Sequence, residues 1–261
     1  MPDNVVYDVT EGVGTITLNR PDALNSLDSA TKAALRDAAT AAAGDDSVRV
    51  IVLRGTGRAF CVGQDLKEHA ASLEAGDGLS NTVREHYNPL LRALTSAPKP
   101  VIAAVNGVAA GAGAALAFAA DLRIASDKAA FNLAFANIGL TADSGGSWTL
   151  PRLVGPAKAV ELLMLPETIG VAQAAELGLV HRVVPAEELD AAVGELAARM
   201  AAGPTAAYAA IKQAVGFGLT HSLDQTLELE ADLQDACAAT EDHRNAVRAF
   251  LAKEKPTFSG R

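Results

Sequence analysis

The first part of the chain alternates apolar and polar positions, whereas two later segments are apolar almost throughout. Positions 5–9 and 13–19 alternate on either side of Glu11-Gly12, a period of two that predicts two strands around a turn. Positions 48–55 (VRVIVLRG) and 100–105 (PVIAAV) are continuous runs, typical of parallel strands buried on both faces. The pattern therefore predicts a largely buried sheet.

Segments whose apolar residues have the spacing of a helix lie between these strands. A helix is predicted from Asp28 to Ala43, with Asp28 or Ser29 as its cap and Gly44 as its stop. Further helices are predicted over 82–97, ended by Pro98, and over 111–120, while 121–126 (DLRIAS) and 129–135 (AAFNLAF) read as strands. Because strands and helices alternate, we expect an α/β fold with a mostly parallel sheet and helical cover.

From about residue 187 onward the spacing is almost entirely helical. An apolar stripe recurs in the last helices, and it is more than cover for the sheet requires. We therefore predict two regions, a core over residues 1–200 that carries the site and a helical assembly region over residues 201–261. The stripe consists of Leu223, Leu227, Leu233, Val247, Phe250 and Leu251.

One segment, 101–120, has the length of a membrane-spanning helix. Its Asn106-Gly107 pair predicts a turn, and its glycines weaken one continuous helix. A buried strand, a turn and a buried helix explain the segment better. We therefore expect no membrane partner.

The composition of the chain argues against several classes of protein. The chain has 261 residues, 49% of them hydrophobic and 20% charged, as in globular proteins. Its net charge of −9 disfavours a phosphate-backbone footprint, so no nucleic-acid partner is expected. The two cysteines lie far apart and no metal-ligand spacing is apparent, which predicts neither a disulfide framework nor a metal site and favours a cytoplasmic location.

Two glycine-bearing loops follow predicted buried strands. They are 57–66 (GRAFCVGQDL) and 106–116 (NGVAAGAGAAL). Glycine lets the backbone approach a ligand closely, and amides at a helix start point outward with the positive end of the helix dipole. Two such amides from neighbouring strands could hold one oxyanion, although ordinary tight turns would have the same composition.

Four linked motifs resemble the enoyl-CoA hydratase/isomerase family, the crotonase superfamily: NRPDALNSL, GRAFCVGQDL, PKPVIAAVNGVAAGAGAAL and GLTADSGGSWTLPRLVG. The resemblance covers essentially the whole chain. It implies an α/β, crotonase-like spiral of ββα units with a C-terminal helical trimerisation region. It also implies an acyl-CoA thioester as partner, with coenzyme A entering as part of the substrate rather than as a separate cofactor, and a homotrimer or dimer of trimers.

The same resemblance assigns site residues. The amides of Gln64 and Ala112 would hold the thioester oxygen. Arg20, Lys253 and Lys255 are phosphate candidates, although a solvated surface cation is the favoured interpretation of each one taken alone. Tyr87 and Asn88 could line the acyl cavity. The residues expected to contact coenzyme A are Ala23, Leu24, Asn25, Ala59, Cys61, Val62, Gly63, Asp65, Leu66, Val108 and Gly111.

The chain departs from the hydratase pattern at two positions. A hydratase of this family activates water with two glutamates, and those positions are Ala115 and Phe135 here. Some isomerases of the family instead place one acid in the segment that contains Asp143. Several motifs resemble the subgroup that isomerises ring-1,2-epoxyphenylacetyl-CoA in phenylacetate degradation and also shifts double bonds in enoyl-CoA chains.

Asp143 has two interpretations. An aspartate before Ser-Gly-Gly is a good helix N-cap, whereas a carboxylate near Leu140, Ala142 and Trp148 would have a pKa raised by desolvation and could move a proton. We favour an acid/base that transfers a proton between C2 and C4 of a thioester enolate. The alternatives are a hydratase with another water site and an acyl-CoA-binding protein without turnover.

Overall fold

The computed structural model describes residues 3–76 and 81–260. In that part of the chain the strands are β1 (Val5–Thr10), β2 (Val13–Leu18), β3 (Val50–Gly55), β4 (Ala59–Cys61), β5 (Val101–Val105), β6 (Val108–Ala110), β7 (Leu122–Ser126), β8 (Ala130–Asn132), β9 (Ile169–Gly170) and β10 (Arg182–Val184). The α-helices are α1 (Ser29–Gly44), α2 (Leu66–Glu74), α3 (Asn88–Thr95), α4 (Ala112–Ala119), α5 (Gly146–Val154), α6 (Pro156–Met164), α7 (Val171–Glu176), α8 (Leu189–Ala201), α9 (Thr205–Gly218), α10 (Leu223–Ala238) and α11 (Glu241–Ala252).

The strands form two sheets. A six-stranded sheet has the order β1-β2-β3-β5-β7-β10, parallel throughout except for the antiparallel β1/β2 pair. A small sheet has the order β4-β6-β8-β9, with β8/β9 antiparallel and the other pairs parallel. The mostly parallel arrangement predicted from the sequence is confirmed.

Successive strands change sheet in a regular way. β3, β5 and β7 enter the large sheet, and the strand after each of them, β4, β6 and β8, enters the small one before a helix follows. Each such ββα unit therefore adds one strand to both sheets. The predicted spiral of ββα units is confirmed.

The central strands β3 and β5 of the large sheet are buried on both faces, as the continuous apolar runs predicted. In β3, Ile51 and Leu53 point into the core shared with α1, α3, α4 and the small sheet. Val50 and Val52 point to the opposite face, where α8 covers them with Leu189 and other apolar residues. A strand buried on both faces cannot show the alternation seen in β2, whose burial does alternate residue by residue.

The apolar segment at 101–120 folds as β5, a turn, β6 and α4. Every residue of α4 is buried within the protein. Among the residues that the structure describes, no helix is both long and apolar enough to cross a membrane. The strand–turn–helix prediction is confirmed, with β6 as an addition.

Two sequence predictions need correction. The helix expected over 82–97 begins with a π-helical turn, Val83–Tyr87, before α3. The strand expected over 129–135 is only β8, because the chain turns into a short 3₁₀ helix at Ala136–Ile138. Both changes involve residues that line the cavity described below, among them Tyr87 and Ile138.

The last helices carry large apolar side chains on their surface. Ile211, Leu223, Phe250 and Leu251 are between 60% and 80% exposed. α9 and α10 pack against each other, and α10 touches α11. The predicted apolar stripe therefore lies on the outside of these helices rather than in the core.

Candidate active site

Two peptide N–H groups lie where β4 and β6 end. Because these strands are parallel neighbours, their carboxyl ends meet at one edge of the small sheet. Gln64 follows β4, and Ala112 is the first residue of α4, so its amide has no partner within the helix. In the described part of the chain neither amide has an acceptor; the bridge beside Gln64 uses the amides of Leu27 and Asp65 instead. Both amides are therefore available to a ligand.

Two glycines allow the loops that carry these amides to touch. Gly63 has a φ of +80°, and a Cβ there would lie 2.8 Å from the Ala110 oxygen and 3.1 Å from the Ala112 nitrogen. At Gly113 a Cβ would collide with the Cys61 oxygen and lie 2.7 Å from its carbonyl carbon. Side chains at either position would push the two loops apart.

Gln64 and Ala112 both line a cavity of about 150 Å³. Its apolar walls include Leu66, Phe135 and Leu140. Its polar lining residues are Gln64, His69, Thr82, Tyr87, Asn137 and Asp143. Asp143 is the single carboxylate among the lining residues that the structure describes, so any proton transfer by a carboxyl group in this cavity would fall to it.

Asp143 does not cap a helix. The N-cap of α5 is Gly145, and no side chain caps that helix. The Asp143 carboxylate is half-buried and accepts a hydrogen bond from Ser144 Oγ at 2.9 Å. Burial raises the pKa of Asp143, and the Ser144 hydrogen bond opposes that rise only in part. A raised pKa brings the carboxyl group nearer to the working range of an acid/base.

The Gln64 side chain is held from two sides. Tyr87 Oη donates to Gln64 Oε1 at 2.7 Å, and Lys32 Nζ donates to the same oxygen at 3.3 Å. Burial raises the pKa of Tyr87, and the nearby Asp143 carboxylate raises it further, so the phenol stays protonated. The predicted position of Tyr87 in the cavity wall is thus observed, whereas Asn88 lines a neighbouring cavity.

Three residues predicted to contact coenzyme A have side chains that no ligand can reach. Asn25, Ala59 and Cys61 are each at most 1% exposed. The Asn25 amide nitrogen donates to the main-chain oxygens of Thr56 and Ala59, which ties the loops together. Burial raises the pKa of Cys61 to about 12, so its thiol is inert. The side chains of all three are therefore structural, and contact of their main chain with coenzyme A stays a prediction.

Asp65 is likewise engaged by the protein itself. Its carboxylate caps α2 through the amides of Lys67 and Glu68 and accepts from Ser26 Oγ at 2.8 Å. Arg20, a phosphate candidate, contacts it at 3.2 Å, and its contact with a phosphate stays a prediction. Burial would raise the pKa of Asp65, but the hydrogen bonds from Ser26, the Glu68 amide, Arg20 and the Lys67 amide lower it below its usual value.

The remaining residues predicted to contact coenzyme A fall into two groups, those that line the cavity and those that lie outside it. Val62, Leu66 and Gly111 line the cavity. The Gly63 residue is buried, and its amide donates to the Cys61 sulfur. Outside the cavity, Ala23 and Leu24 are half-buried, whereas Val108, Lys253 and Lys255 are exposed, so contact of these five with a ligand stays a prediction.

The positions where a hydratase would carry glutamates hold no carboxylate. Ala115 is fully buried in α4, against the start of α5. Phe135 lines the cavity and presents an aromatic ring where a water-binding carboxylate would be needed. The site therefore lacks the two-carboxylate arrangement for activating water.

Trp148 does not form the apolar surroundings expected for Asp143. It is 47% exposed and lies under the guanidinium of Arg152, 4.0 Å from the ring centre. The buried face of α5 is Gly146, Thr149 and Leu150, which turns Trp148 outward. Trp148 and Asp143 share the neighbouring cavity of about 410 Å³, so Asp143 lies between two cavities.

His69 was missed as a cavity residue. It lies one turn into α2, and its amide donates to the Asp65 oxygen. The sequence did carry a signal for this helix, since Asp65 is followed three residues later by Glu68, the spacing of an N-terminal cap.

Comparison with known proteins identifies relatives of a single enzyme family. The family model described as enoyl-CoA hydratase/isomerase matches residues 8–261. A protein of Rhodobacter capsulatus named as a probable enoyl-CoA hydratase is 48% identical over 98% of this chain and 97% of its own. The 1,2-epoxyphenylacetyl-CoA isomerase of Escherichia coli is 42% identical over the full length of both. A crystal structure from Mycobacterium abscessus, assigned as an enoyl-CoA hydratase/isomerase, has a TM-score of 0.95 at 45% identity, covering 98% of this chain and 100% of that one.

Proposed function

The chain belongs to the enoyl-CoA hydratase/isomerase family, and we propose that it is an acyl-CoA isomerase working through a thioester enolate. The observation that carries this proposal is a cavity in which Asp143 is the single carboxylate among the described lining residues, and which is also lined by Gln64 and Ala112, whose amides have no acceptor in the described part of the chain. The absence of carboxylates at Ala115 and Phe135 supports isomerisation over hydration.

The mechanism begins at the thioester carbonyl. Its oxygen accepts hydrogen bonds from the amides of Gln64 and Ala112, which stabilise the negative charge that develops there. This makes the C2–H bond of a 3-enoyl thioester acidic. The Asp143 carboxylate takes the C2 proton, and the electron pair spreads over the dienolate. The same carboxyl group then returns a proton to C4, and the double bond lies between C2 and C3.

The same site could isomerise ring-1,2-epoxyphenylacetyl-CoA. The thioester oxygen would occupy the same pair of amides, and the protonated Asp143 or the enolate would assist opening of the three-membered ring. No atoms are gained or lost when the ring then expands to an oxepin. The similarity to the isomerase of Escherichia coli supports this substrate class.

A second candidate is enoyl-CoA hydration through a water site other than the two-glutamate one. The relative from Rhodobacter capsulatus named as a probable hydratase is the observation that favours it. In that case Asp143 would activate water without a second carboxylate.

A panel of coenzyme A thioesters separates the two candidates. We expect the enzyme to convert 3-enoyl-CoA to 2-enoyl-CoA and to consume epoxyphenylacetyl-CoA, while crotonyl-CoA hydration is at least about 100-fold slower, since water has no second carboxylate to activate it. Product formation is followed by chromatography. Fast hydration of crotonyl-CoA with no isomerisation would reverse the assignment, and binding without turnover would identify a non-catalytic member.

We also propose that the outer apolar surface of α9–α11 assembles the protein into a homotrimer or a dimer of trimers. Phe250, Leu251 and their apolar neighbours are highly exposed. Clusters of exposed large apolar side chains are uncommon on the surface of monomeric proteins and mark interaction surfaces. Sedimentation equilibrium should give three or six times the chain mass of 26.7 kDa. A monomer at micromolar concentration would contradict this proposal.

A further inference from the structure

Lys32 is a buried cation beside the proposed site but outside its cavity. It lies near the start of α1 and is 3% exposed. A buried ammonium is unfavourable unless its hydrogen-bonding capacity is satisfied. Nζ donates to Thr82 Oγ1 at 2.7 Å and to Gln64 Oε1 at 3.3 Å, and lies 3.7 Å from Glu68 Oε1. The ammonium thus has two hydrogen-bond acceptors and one ion-pair partner.

All three acceptors belong to elements that enclose the site. Gln64 and Thr82 line the cavity, and Glu68 lies on α2 directly after the loop that carries the Gln64 amide. Glu68 also accepts from the Ser29 amide at 2.9 Å, which links the starts of α1 and α2. Lys32 therefore joins three separate segments of chain behind the Gln64 loop.

The Gln64 side chain connects this network of contacts to the proposed site, because the same residue carries one of the two amides. Its carbonyl oxygen accepts from both Lys32 and Tyr87, so its torsions are fixed by two donors on one atom. With the side chain fixed, the backbone of Gln64 cannot rotate freely. The peptide N–H of the same residue lacks an acceptor of its own in the described part of the chain.

We propose that Lys32 is a positioning residue, whose ammonium holds Gln64 so that its amide can bind the thioester oxygen. This inference rests on the proposed function, because the amide acts only if a thioester carbonyl binds there. Burial lowers the pKa of Lys32, and the carboxylates of Glu68, Asp28 and Asp65 oppose that fall. Lys32 acts through Gln64 and Thr82 rather than by touching substrate.

The test variant is Lys32→Met, which keeps the apolar stem and removes the donor. Glu68 is not left stranded, because its side chain is 35% exposed and keeps its bond to Ser29. We expect kcat for 3-enoyl-CoA isomerisation to fall by about 10- to 100-fold with little change in KM, since a misplaced donor weakens the transition state more than binding.

Lys99 offers a matched control. It is also buried, at 4% exposed, but its Nζ donates to the main-chain oxygens of Ala42 and Asp45 at the other end of α1. Lys99→Met also removes a buried ammonium attached to α1, so any loss of stability should be comparable. Below its melting temperature this variant should keep a kcat near that of the wild type.

A second measurement does not depend on turnover. A conjugated 2,4-dienoyl-CoA has no acidic sp³ C–H at C2 or C4, so Asp143 cannot isomerise it. Its absorption maximum moves to longer wavelength when its carbonyl oxygen is polarised by hydrogen bonds. We expect a red shift on binding to the wild type, a clearly smaller shift on Lys32→Met and the full shift on Lys99→Met.

The outcomes separate the two proposals. Wild-type kcat and a full red shift in folded Lys32→Met would overturn the role of Lys32. A wild type without isomerase activity, but with a red shift that depends on Lys32, would sink the proposed reaction and leave the positioning role standing. If Lys32→Met shows no cooperative melting, Gln64→Met replaces it, since it removes the shared acceptor and keeps the backbone amide; an unchanged kcat there would equally overturn the proposal.

Discussion

Replacement of Asp143 by asparagine should reduce double-bond isomerisation by about 10²- to 10⁴-fold, the usual contribution of a general acid/base. Asparagine has nearly the same shape and can still accept from Ser144, but it cannot take a proton from C2. Asp143 is the single carboxylate among the described lining residues of the cavity, so no neighbour replaces it. Binding of the thioester should change little, because the amides of Gln64 and Ala112 are unaffected.

The measurement is solvent deuterium exchange at C2 alongside the isomerisation rate. Exchange should be lost in Asp143→Asn and retained in Asp190→Asn, an exposed control whose carboxylate only pairs with Arg54 on the surface. If C2 exchange persists in Asp143→Asn, another group removes the proton and the assignment of Asp143 is wrong.

The raised pKa of Asp143 also has a stability consequence whose sign can be worked out. Burial favours the protonated form in the folded protein, whereas the unfolded chain has the ordinary value of 3.8. The stability contributed by this group is complete below pH 3.8 and is lost as the pH rises through the folded-state pKa. At neutral pH, Asp143→Asn should therefore melt at a higher temperature than the wild type, and the difference should narrow as the pH is lowered.

Activity should fall as the pH drops through the same folded-state pKa, because the base becomes protonated.

Much of the fold could be predicted from the sequence, because long strands leave a periodic signal. The alternation at 13–18 and the continuous run at 50–55 correspond to β2 and β3. Two strands of the small sheet, β4 and β6, were missed, since they have three residues each and lie in segments with the composition of glycine-bearing loops. A three-residue strand is specified by its neighbours in space rather than by its own pattern.

The site was predictable where function rests on main chain and local motifs, and unpredictable where it rests on distant side chains. The loops around Gln64 and Ala112 could be identified from their glycines. The contact between Lys32 and Thr82 joins residues 50 positions apart and leaves no trace in either segment alone. The outward turn of Trp148 is equally invisible, because it depends on which face of α5 is buried.

Gly113→Ala should reduce kcat by about 10²-fold, although exchange of glycine for alanine inside a helix normally stabilises it by about 1 kcal/mol. Gly113 is the second residue of α4, and its missing Cβ leaves room for the carbonyl group of Cys61. That carbonyl is backbone, so no side-chain rotation can relieve the collision. We expect the start of α4 to shift, with a loss of about 1–3 kcal/mol in the free energy of unfolding.

The same shift would separate the two amides. The Ala112 N–H is directly before Gly113, and the Gln64 N–H follows the strand end at Cys61, so a movement of about 1 Å between these segments should cost about 10²-fold in kcat. Gly194→Ala in α8 is the matched control, since a Cβ there meets nothing within 4 Å; it should leave kcat unchanged and raise stability slightly. Urea denaturation and kcat, both measured well below the melting temperature, distinguish a misplaced amide from an unfolded protein. A folded Gly113→Ala enzyme with wild-type kcat would show that catalysis does not depend on how closely the two loops approach.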